Sequence, residues 1–223
     1  MKIKPSVLLA AACLSVAGDH VQAQSTLHTA YIVSAGTAGD QDLSSAHQTL
    51  GMDFSVTQPI SVVSLGVFDS GGDGLKGATA AHIFDRTSGA LLATLAFTPQ
   101  DAGTLVGGTR FKNLNLPLNL PVGFKGSIVA DYLSSPTELN GNKGNNRPNA
   151  PWRTDGAGGA IVFEGTGRIN YSNDPSAFPT VLDAGPADRY AAGSFQYLVV
   201  PEPGHVALLG LGLVPFLVFR RKS

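Results

Sequence analysis

Short segments in which apolar and polar residues alternate constrain the fold of this chain more than any other feature. In residues 51–57 (GMDFSVT), the apolar side chains Met52, Phe54 and Val56 occupy every second position, which in an extended strand places them on one face. Such segments are separated by Gly, Pro, Asn and Asp, and no long segment between the two ends of the chain repeats apolar residues every 3.6 positions. The sequence therefore predicts an all-β fold, an antiparallel β-sandwich of jelly-roll type.

Eight segments are predicted to be strands. In the first of them, the alternation predicts that Asp53 faces away from the core, and in the second that Val63, Leu65 and Val67 share the buried face. Pro117 favours an edge position for the fifth strand, because proline donates no hydrogen bond to a sheet ladder. The predicted strands span residues 51–57, 60–68, 78–84, 91–97, 111–120, 126–132, 159–164 and 191–200.

Residues 134–159 have a different composition. They carry five asparagines among scattered glycines and prolines and show no apolar period, which is typical of a long surface loop. Trp152 lies towards the end of this loop. Its ring could stack on a sugar of a bound polysaccharide, because the face of an indole is apolar and polarisable. The alternative, which the sequence favours, is that Trp152 closes the edge of the core.

The C-terminal segment is uniformly apolar. No charged side chain occurs from Val206 to Phe219, and Arg220, Arg221 and Lys222 follow directly. These fourteen residues are fewer than the roughly 17–25 that a spanning helix usually needs, although basic side chains at its end can snorkel to the interface. We predict a single, marginally long membrane helix with its basic stop-transfer end in the cytoplasm. The alternative is a buried terminal element of a soluble domain.

The N-terminus is consistent with export. Lys2 and Lys4 precede an apolar stretch at residues 7–17, and small residues before Gln24 offer a cleavage point after Ala23. This pattern predicts a secretory signal peptide over residues 1–23. Cys13 is the only cysteine, so the mature protein would have none. Disulfides, thiolate metal sites and a cysteine nucleophile are then excluded.

A short motif precedes the apolar C-terminal run. Pro201, Glu202 and Pro203 come directly before it, and the chain ends on RRKS. This order resembles the PEP-CTERM sorting signal of Gram-negative bacteria over residues 200–223. The resemblance implies that an exosortase, an integral-membrane transpeptidase, recognises the Pro-Glu-Pro element and removes the anchor. It also implies an inner-membrane-tethered intermediate, followed by delivery to the cell surface or extracellular matrix.

The same resemblance assigns Arg220 and Arg221 as the stop. Pro215 departs from it, because a proline inside the apolar run removes a backbone hydrogen bond and kinks a helix. The predicted organisation is a signal peptide, an exported β-sandwich domain and a sorting and anchor segment, at residues 1–23, 24–199 and 200–223.

The charge balance of the exported part argues against nucleic acid as a partner. The whole chain has 15 basic and 16 acidic residues, and five of the basic and two of the acidic ones lie in the two terminal segments. The remainder has a net charge of −4. Nucleic-acid binding depends on basic patches that neutralise phosphates, and a weakly acidic surface disfavours it.

Residues 69–74 (DSGGDG) form the strongest candidate for a metal site. Asp69 and Asp73 are candidate calcium ligands, because calcium takes carboxylate oxygens and glycines let backbone carbonyls turn towards the ion. The spaced acidic positions and distal Glu of an EF-hand are missing, and the same residues also suit an ordinary turn. No other cofactor is predicted.

Catalytic signatures are weak. The sequence contains neither a G-x-S-x-G elbow, a phosphate-binding P-loop nor H-E-x-x-H. A glycosidase pair of carboxylates could be drawn from four acidic residues, but nothing in the sequence selects two of them. These residues are Asp131, Glu138, Asp155 and Glu164.

The predicted function is therefore a non-enzymatic structural or adhesive role at the cell surface, in the extracellular matrix or in a biofilm. Exosortase is the expected partner during sorting, and polysaccharide or matrix proteins are candidate partners afterwards. A carbohydrate-binding module acting on exopolysaccharide is one alternative. A polysaccharide-active hydrolase is a second.

Overall fold

A computed structural model shows how the alternating segments pair. It describes residues 26–39, 49–131, 152–154, 159–170, 174, 177–185, 187 and 190–201. Within these residues the chain forms thirteen strands and one short 3₁₀ turn, Ser70–Gly72. The strands are β1 (Leu27–Thr29), β2 (Tyr31–Val33), β3 (Thr49–Val56), β4 (Ile60–Phe68), β5 (Thr79–Asp85), β6 (Leu91–Phe97), β7 (Thr104–Val106), β8 (Thr109–Leu120), β9 (Lys125–Asp131), β10 (Trp152–Thr154), β11 (Ile161–Asn170), β12 (Val181–Asp183) and β13 (Gly193–Val199).

Two antiparallel sheets pack together as a sandwich. The five-stranded sheet has the order β1-β13-β4-β8-β7, and the six-stranded sheet has the order β12-β11-β3-β9-β5-β6. Strands β10 and β2 form a separate two-stranded pair. The all-β, two-sheet prediction is thereby confirmed.

Aromatic rings fill the space between the sheets. Phe54 on β3 and Phe195 on β13 come from opposite sheets, and their ring centroids lie 5.0 Å apart. Tyr31 and Phe163 meet edge to face at 5.4 Å. All but Phe163 are fully buried, and burying one large apolar side chain stabilises a fold by about 1.5–3 kcal/mol. The contact of Phe54 with Phe195 therefore helps to hold the two sheets together.

Each of the eight predicted strands corresponds to a strand of the sandwich, namely β3, β4, β5, β6, β8, β9, β11 and β13. The seventh extends further than predicted, because a β-bulge between Phe163 and Gly167 lets β11 continue to Asn170. Five strands were not predicted. Each of them is three residues long, and they are β1, β2, β7, β10 and β12.

The predicted buried face of β4 is partly wrong. The register of β4 against β8 shifts between Val62 and Ser64, and such a bulge moves the following side chains to the other face. Val62 therefore joins Leu65 and Val67 in the core, all three with 0% exposure. Val63 is only partly buried.

The predicted edge position of the fifth strand is wrong, because β7 lies outside β8 in the sheet order, but Pro117 itself lies where β8 is unpaired. Strand β8 pairs with β4 through Asn113 and again from Leu118, so that Pro117 lies in the unpaired segment between them. Strand β7, on the other side of β8, pairs only with residues 109–111. The missing N–H of proline therefore interrupts no ladder hydrogen bond.

Strand β10 interrupts the segment that was predicted to be a continuous loop. Trp152 pairs with Val33 of β2 in an antiparallel register, so its backbone belongs to a strand. The side chain of Trp152 lies outside what the structure describes, and its role in sugar binding stays a prediction.

The sorting and export segments also lie outside the described residues, apart from Val200 and Pro201. This applies to the signal peptide, to the apolar run and to the remaining motif and stop residues Glu202, Pro203, Arg220, Arg221 and Lys222. In the part of the chain that the structure describes, no helix is long and apolar enough to cross a bilayer.

Gly193 marks a close approach of the two sheets and gives a test of the packing. A Cβ atom at Gly193 would lie 2.7 Å from the carbonyl carbon and oxygen of Val129 in β9. We expect Gly193→Ala to lower the free energy of unfolding by about 1–3 kcal/mol, because overpacking forces the backbones apart. Urea denaturation measures the change. Leu116→Ala is the control, since Leu116 is 82% exposed, and an equal loss in both variants would contradict the close approach.

Candidate functional site

Buried polar side chains concentrate on one surface of the six-stranded sheet. We call this surface the outer face, because it points away from the five-stranded sheet. On β3, Met52 and Phe54 point inward, so Asp53 and Ser55 point outward. The cross-strand partner of Asp53 is Ser127 on β9, and directly opposed residues share a face. Asp53 and Ser127 are 1% and 0% exposed, so the outer face is covered.

This burial corrects the prediction that Asp53 faces solvent. Its carboxylate accepts a hydrogen bond from Arg168 Nε on β11 at 2.6 Å and another from the hydroxyl of Ser127. Arg86, in the turn between β5 and β6, places Nη1 3.1 Å from Asp53 Oδ2. A buried carboxylate is tolerated when it is paired and hydrogen-bonded, and Asp53 meets both conditions.

Glu164 extends the same arrangement towards the surface. It forms a bidentate pair with Arg86, with Nη2 to Oε1 at 2.9 Å, and it also accepts a hydrogen bond from Ser55. The Arg86 hydrogen bond lowers the pKa of Glu164 to about 2, and the guanidinium pKa of Arg86 is raised by the same contact. We call the six side chains Asp53, Ser55, Arg86, Ser127, Glu164 and Arg168 the Asp53 network.

Arg168 also contacts the segment 177–180, which follows β11 and lies over the outer face. Its Nη1 donates to the carbonyl of Pro179 at 3.1 Å, and its guanidinium lies 4.7 Å from the ring centroid of Phe178. The ring of Phe178 meets Phe84 of β5 edge to face at 5.6 Å. One arginine thus connects the buried carboxylate to a segment that covers part of the sheet.

Two further buried groups on the outer face are only partly hydrogen-bonded. His82 on β5 and Asp131 on β9 are 4% and 1% exposed. His82 Nδ1 contacts Thr94 Oγ1 at 2.9 Å. His82 Nε2 and Asp131 Oδ2 have no hydrogen-bond partner among the described residues. Burial lowers the pKa of His82 to about 4 and raises the pKa of Asp131 to about 7, because it disfavours the charged form of each.

His82 and Asp131 are close neighbours in the sheet. Val129 is the cross-strand partner of His82, and Ala80 is the partner of Asp131. The two titratable residues are therefore diagonal neighbours on one face. Buried polar atoms without partners are uncommon in folded proteins, so this pair is the least satisfied polar position of the outer face.

The four acidic residues predicted for a hydrolase are not brought together where the structure describes them. Glu164 bonds Ser55, whose partner on β9 is Lys125, whereas Asp131 lies at the other end of β9. Six residues at about 3.4 Å each separate these positions by about 20 Å, and glycosidase carboxyl pairs lie only about 5–9.5 Å apart. Asp131 and Glu164 therefore cannot act as such a pair. Glu138 and Asp155 lie outside the described residues, and pairs that include them stay untested.

The two predicted calcium ligands have basic partners. Asp69 is fully buried, with Arg110 Nε 2.5 Å and the N–H of Gly74 3.1 Å from its carboxylate. Asp73 is exposed and pairs with Lys76 at 2.8 Å, and the Lys76 hydrogen bond lowers the pKa of Asp73. Over the described ranges, no group of three His, Cys, Asp or Glu side chains is placed to hold a metal ion. The calcium site at Asp69 and Asp73 therefore stays a prediction. In these ranges the two carboxylates have no third acidic ligand beside them.

Comparison with known proteins adds little. No family model matches the sequence and no curated protein matches it. Among solved structures, the crystal structure of infectious bursal disease virus VP2 subviral particle matches with a TM-score of 0.25 and 13% identity. The match covers 83% of this chain and 44% of that chain, so this chain spans less than half of the viral protein. A TM-score this low carries no argument about fold or function.

The Asp53 network was not predicted as a unit. A signal was present, because Asp53 is the one charged residue of the first predicted strand, and Arg168 lies just beyond the seventh predicted strand. Opposite charges in two strands indicate that they could be cross-strand partners. The charges of the network are paired with one another. Its role is therefore to fix the relative positions of strands β3, β9 and β11 and of the turn after β5.

Removing Arg168 tests the network. Arg168→Met keeps most of the apolar stem but leaves Asp53 with Arg86 as its remaining basic partner. We expect the free energy of unfolding to fall by up to about 3–5 kcal/mol, because the buried carboxylate of Asp53 loses one of its two basic partners. Lys76→Met is the matched control at an exposed pair and is expected to leave stability nearly unchanged. Chemical denaturation of both variants measures the difference, and similar stabilities would contradict the network.

His82 and Asp131 predict opposite effects of pH on stability. The raised pKa of Asp131 means that the folded state retains a proton that the unfolded state releases, so stability falls as pH rises from about 4 to about 7. The lowered pKa of His82 means that the unfolded state takes up a proton first, so stability falls as pH drops from about 6.5 to about 4. Between pH 4 and 6.5 the two contributions oppose each other.

Single substitutions separate these contributions. With Asp131→Asn, the free energy of unfolding should rise with pH between about 4 and 6.5, by up to about 3 kcal/mol. With His82→Gln, it should fall over the same interval by a similar amount. Urea unfolding at a series of pH values measures both slopes relative to the unsubstituted protein. Two variants with the same slope as the unsubstituted protein would show that these groups titrate alike in the folded and unfolded states.

Proposed function

We propose that this chain is an exported cell-surface or extracellular-matrix protein that is sorted through its C-terminal PEP-CTERM-like segment. The β-sandwich is then the mature part, with a structural or adhesive role and no enzymatic one. The resemblance of residues 200–223 to the sorting signal is the main reason for this proposal. The geometry of the chain ends within the sandwich supports it.

The pairing of β1 with β13 is the structural observation that carries the proposal. Leu27 lies opposite Leu198 in this antiparallel pair, so the chain enters and leaves the sandwich on adjacent strands. The predicted cleavage point after Ala23 precedes β1, and Pro201 follows the end of β13. Removal of either terminal segment would therefore cut no strand of the sandwich.

We further propose that the sandwich is a jelly roll. Eight of its strands form two facing groups of four, with the orders β1-β13-β4-β8 and β3-β9-β5-β6. Chain connections pass repeatedly between the two groups, as expected for a fold built from two Greek keys. In this interpretation β11 and β12 are additions beside β3, and β7 is an addition beside β8.

The charged groups of the sandwich also support a non-enzymatic role. The carboxylates of Asp53 and Glu164 are bound by Arg86 and Arg168, and Asp69 is bound by Arg110. Groups held in this way stabilise the fold and are poorly placed to exchange protons with a substrate. The exposed part of the protein is then free to serve as a surface for contacts in the matrix.

Processing in the cells that make the chain tests the proposal. Intact-mass spectrometry of the protein from the cell envelope should find an N-terminus at Gln24 and loss of the C-terminal anchor. A triple alanine variant at Pro201, Glu202 and Pro203 should keep the anchor and remain in the membrane fraction, because the recognition element is absent.

Pro59→Ala is the matched control, since it changes a proline far from the predicted signal in sequence. This control should be processed like the unsubstituted protein. A full-length protein in the cytosol that retains Met1 would contradict export. Equal processing of the triple variant would contradict recognition of the Pro-Glu-Pro element.

A further inference from the structure

The folded sandwich ends directly before the predicted recognition element. The backbone N–H of Val200 donates to the carbonyl oxygen of Pro59 at 2.8 Å, and Val199 is still in register with Ile60 of β4. Pro201 is the next residue, and it is exposed. The first residue of the Pro-Glu-Pro element therefore follows directly on a residue that the sandwich holds.

The distance from this point to the predicted membrane helix is short. Residues 201–205 lie between Val200 and the apolar run that begins at Val206, and a fully extended chain of this length spans at most about 17 Å. About 6 Å of that length lies in the headgroup layer of the bilayer. The remaining gap of about 11 Å equals the diameter of one α-helix. An integral-membrane enzyme that surrounds the element would therefore meet the sandwich.

The last residues held by the sandwich are weakly buried. Leu198 and Val199 are partly buried, and Val200 is 39% exposed. On the β1 side, the cross-strand partner of Leu198 is Leu27, which is 52% exposed. The end of a strand opens locally far more often than the whole domain unfolds, so these three residues can detach without disturbing the core.

Tyr197 sets the limit of this opening. It is fully buried, and its ring centroid lies 5.9 Å from that of Phe195 and 5.3 Å from that of His28. Detaching Tyr197 would expose a large aromatic side chain of the core, which is far more costly than releasing residues that already contact water. Opening therefore stops at Leu198, and it lengthens the free segment by three residues, or about 10 Å.

We propose that recognition of the Pro-Glu-Pro element requires residues 198–200 to detach from β1 and β4. The inference rests on the proposed sorting function and adds the step that controls it. Detachment widens the gap between the sandwich and the headgroup layer from about 11 Å to about 21 Å. When opening and closing are fast, cleavage of a transiently opened segment follows the fraction of molecules that are open. The rate of anchor removal should therefore follow the stability of this strand end.

A disulfide that fixes the end of β13 tests this step. Leu27 and Leu198 are directly opposed in the antiparallel pair of β1 with β13, and such Cα atoms are about 4.5–5.5 Å apart, within the range of a disulfide. We would combine Leu27→Cys with Leu198→Cys in the full chain and follow anchor removal in the producing cells by pulse-chase and intact-mass spectrometry. The bridged protein should lose its anchor several-fold more slowly than the unsubstituted protein, and a reductant should restore the rate.

Ser61→Cys combined with Asn119→Cys is the matched control. These two residues are directly opposed in β4 and β8, and Ser61 is also the cross-strand partner of Leu198 on the β4 side. The control bridge therefore lies in the same row of the sheet but does not hold β13. It should leave the rate of anchor removal unchanged.

A linker separates reach from other effects of the bridge. About six Gly and Ser residues inserted between Val200 and Pro201 replace the reach that detachment supplies. The linker should restore the normal rate in the bridged protein, and in the otherwise unsubstituted protein it should speed anchor removal several-fold, a result that needs no bridge.

Three outcomes would overturn the inference alone. They are equal rates in the unsubstituted protein and in a protein whose bridge is confirmed under non-reducing conditions, a slow bridged rate that the linker does not restore, and no acceleration by the linker without the bridge. Retention of the anchor by the unsubstituted protein would instead overturn the sorting proposal, and this inference with it.

Discussion

The carboxylate of Asp53 imposes the strictest constraint on this sandwich. Burying an ionised group is costly unless its partners arrive with good geometry, and the partners of Asp53 come from three other elements. Arg168 belongs to β11, Ser127 to β9 and Arg86 to the turn after β5. The carboxylate can be buried on the outer face only when β9, β11 and the turn after β5 are in register with β3. The charge of Asp53 therefore makes the alignment of these elements interdependent.

The same interaction reaches beyond the sheet. Arg168 holds Pro179 by a hydrogen bond and stacks on Phe178, whose ring packs on Phe84. A segment that follows β11 is thereby fixed over strands that precede it by many residues. The bulge in β11 serves the same end, because it places Glu164 beside Arg86 while the strand still returns to pair with β3.

The longer strands could be predicted from sequence because alternation over five or more residues is specific for a sheet with one buried face. Alternation does not reveal whether the second face is also covered, and this is why Asp53 was placed in solvent. Its principal partner, Arg168, lies 115 residues further along the chain, a distance over which periodicity carries no information. The three-residue strands were missed because they are shorter than two periods, and the burial of Val63 was wrong because a bulge leaves no trace in the apolar pattern.

The internal placement of β13, between β1 and β4, has a mechanical consequence. Seven register pairs join it to β4 and three join it to β1, so it is held from both sides. A pull applied to the chain through Pro201 would act along the axis of β13. Antiparallel hydrogen bonds run perpendicular to their strands, and such a pull would load them in shear, so that many bonds must break together. A sandwich anchored through this strand would resist extraction by tension better than one anchored through a strand that can peel away bond by bond.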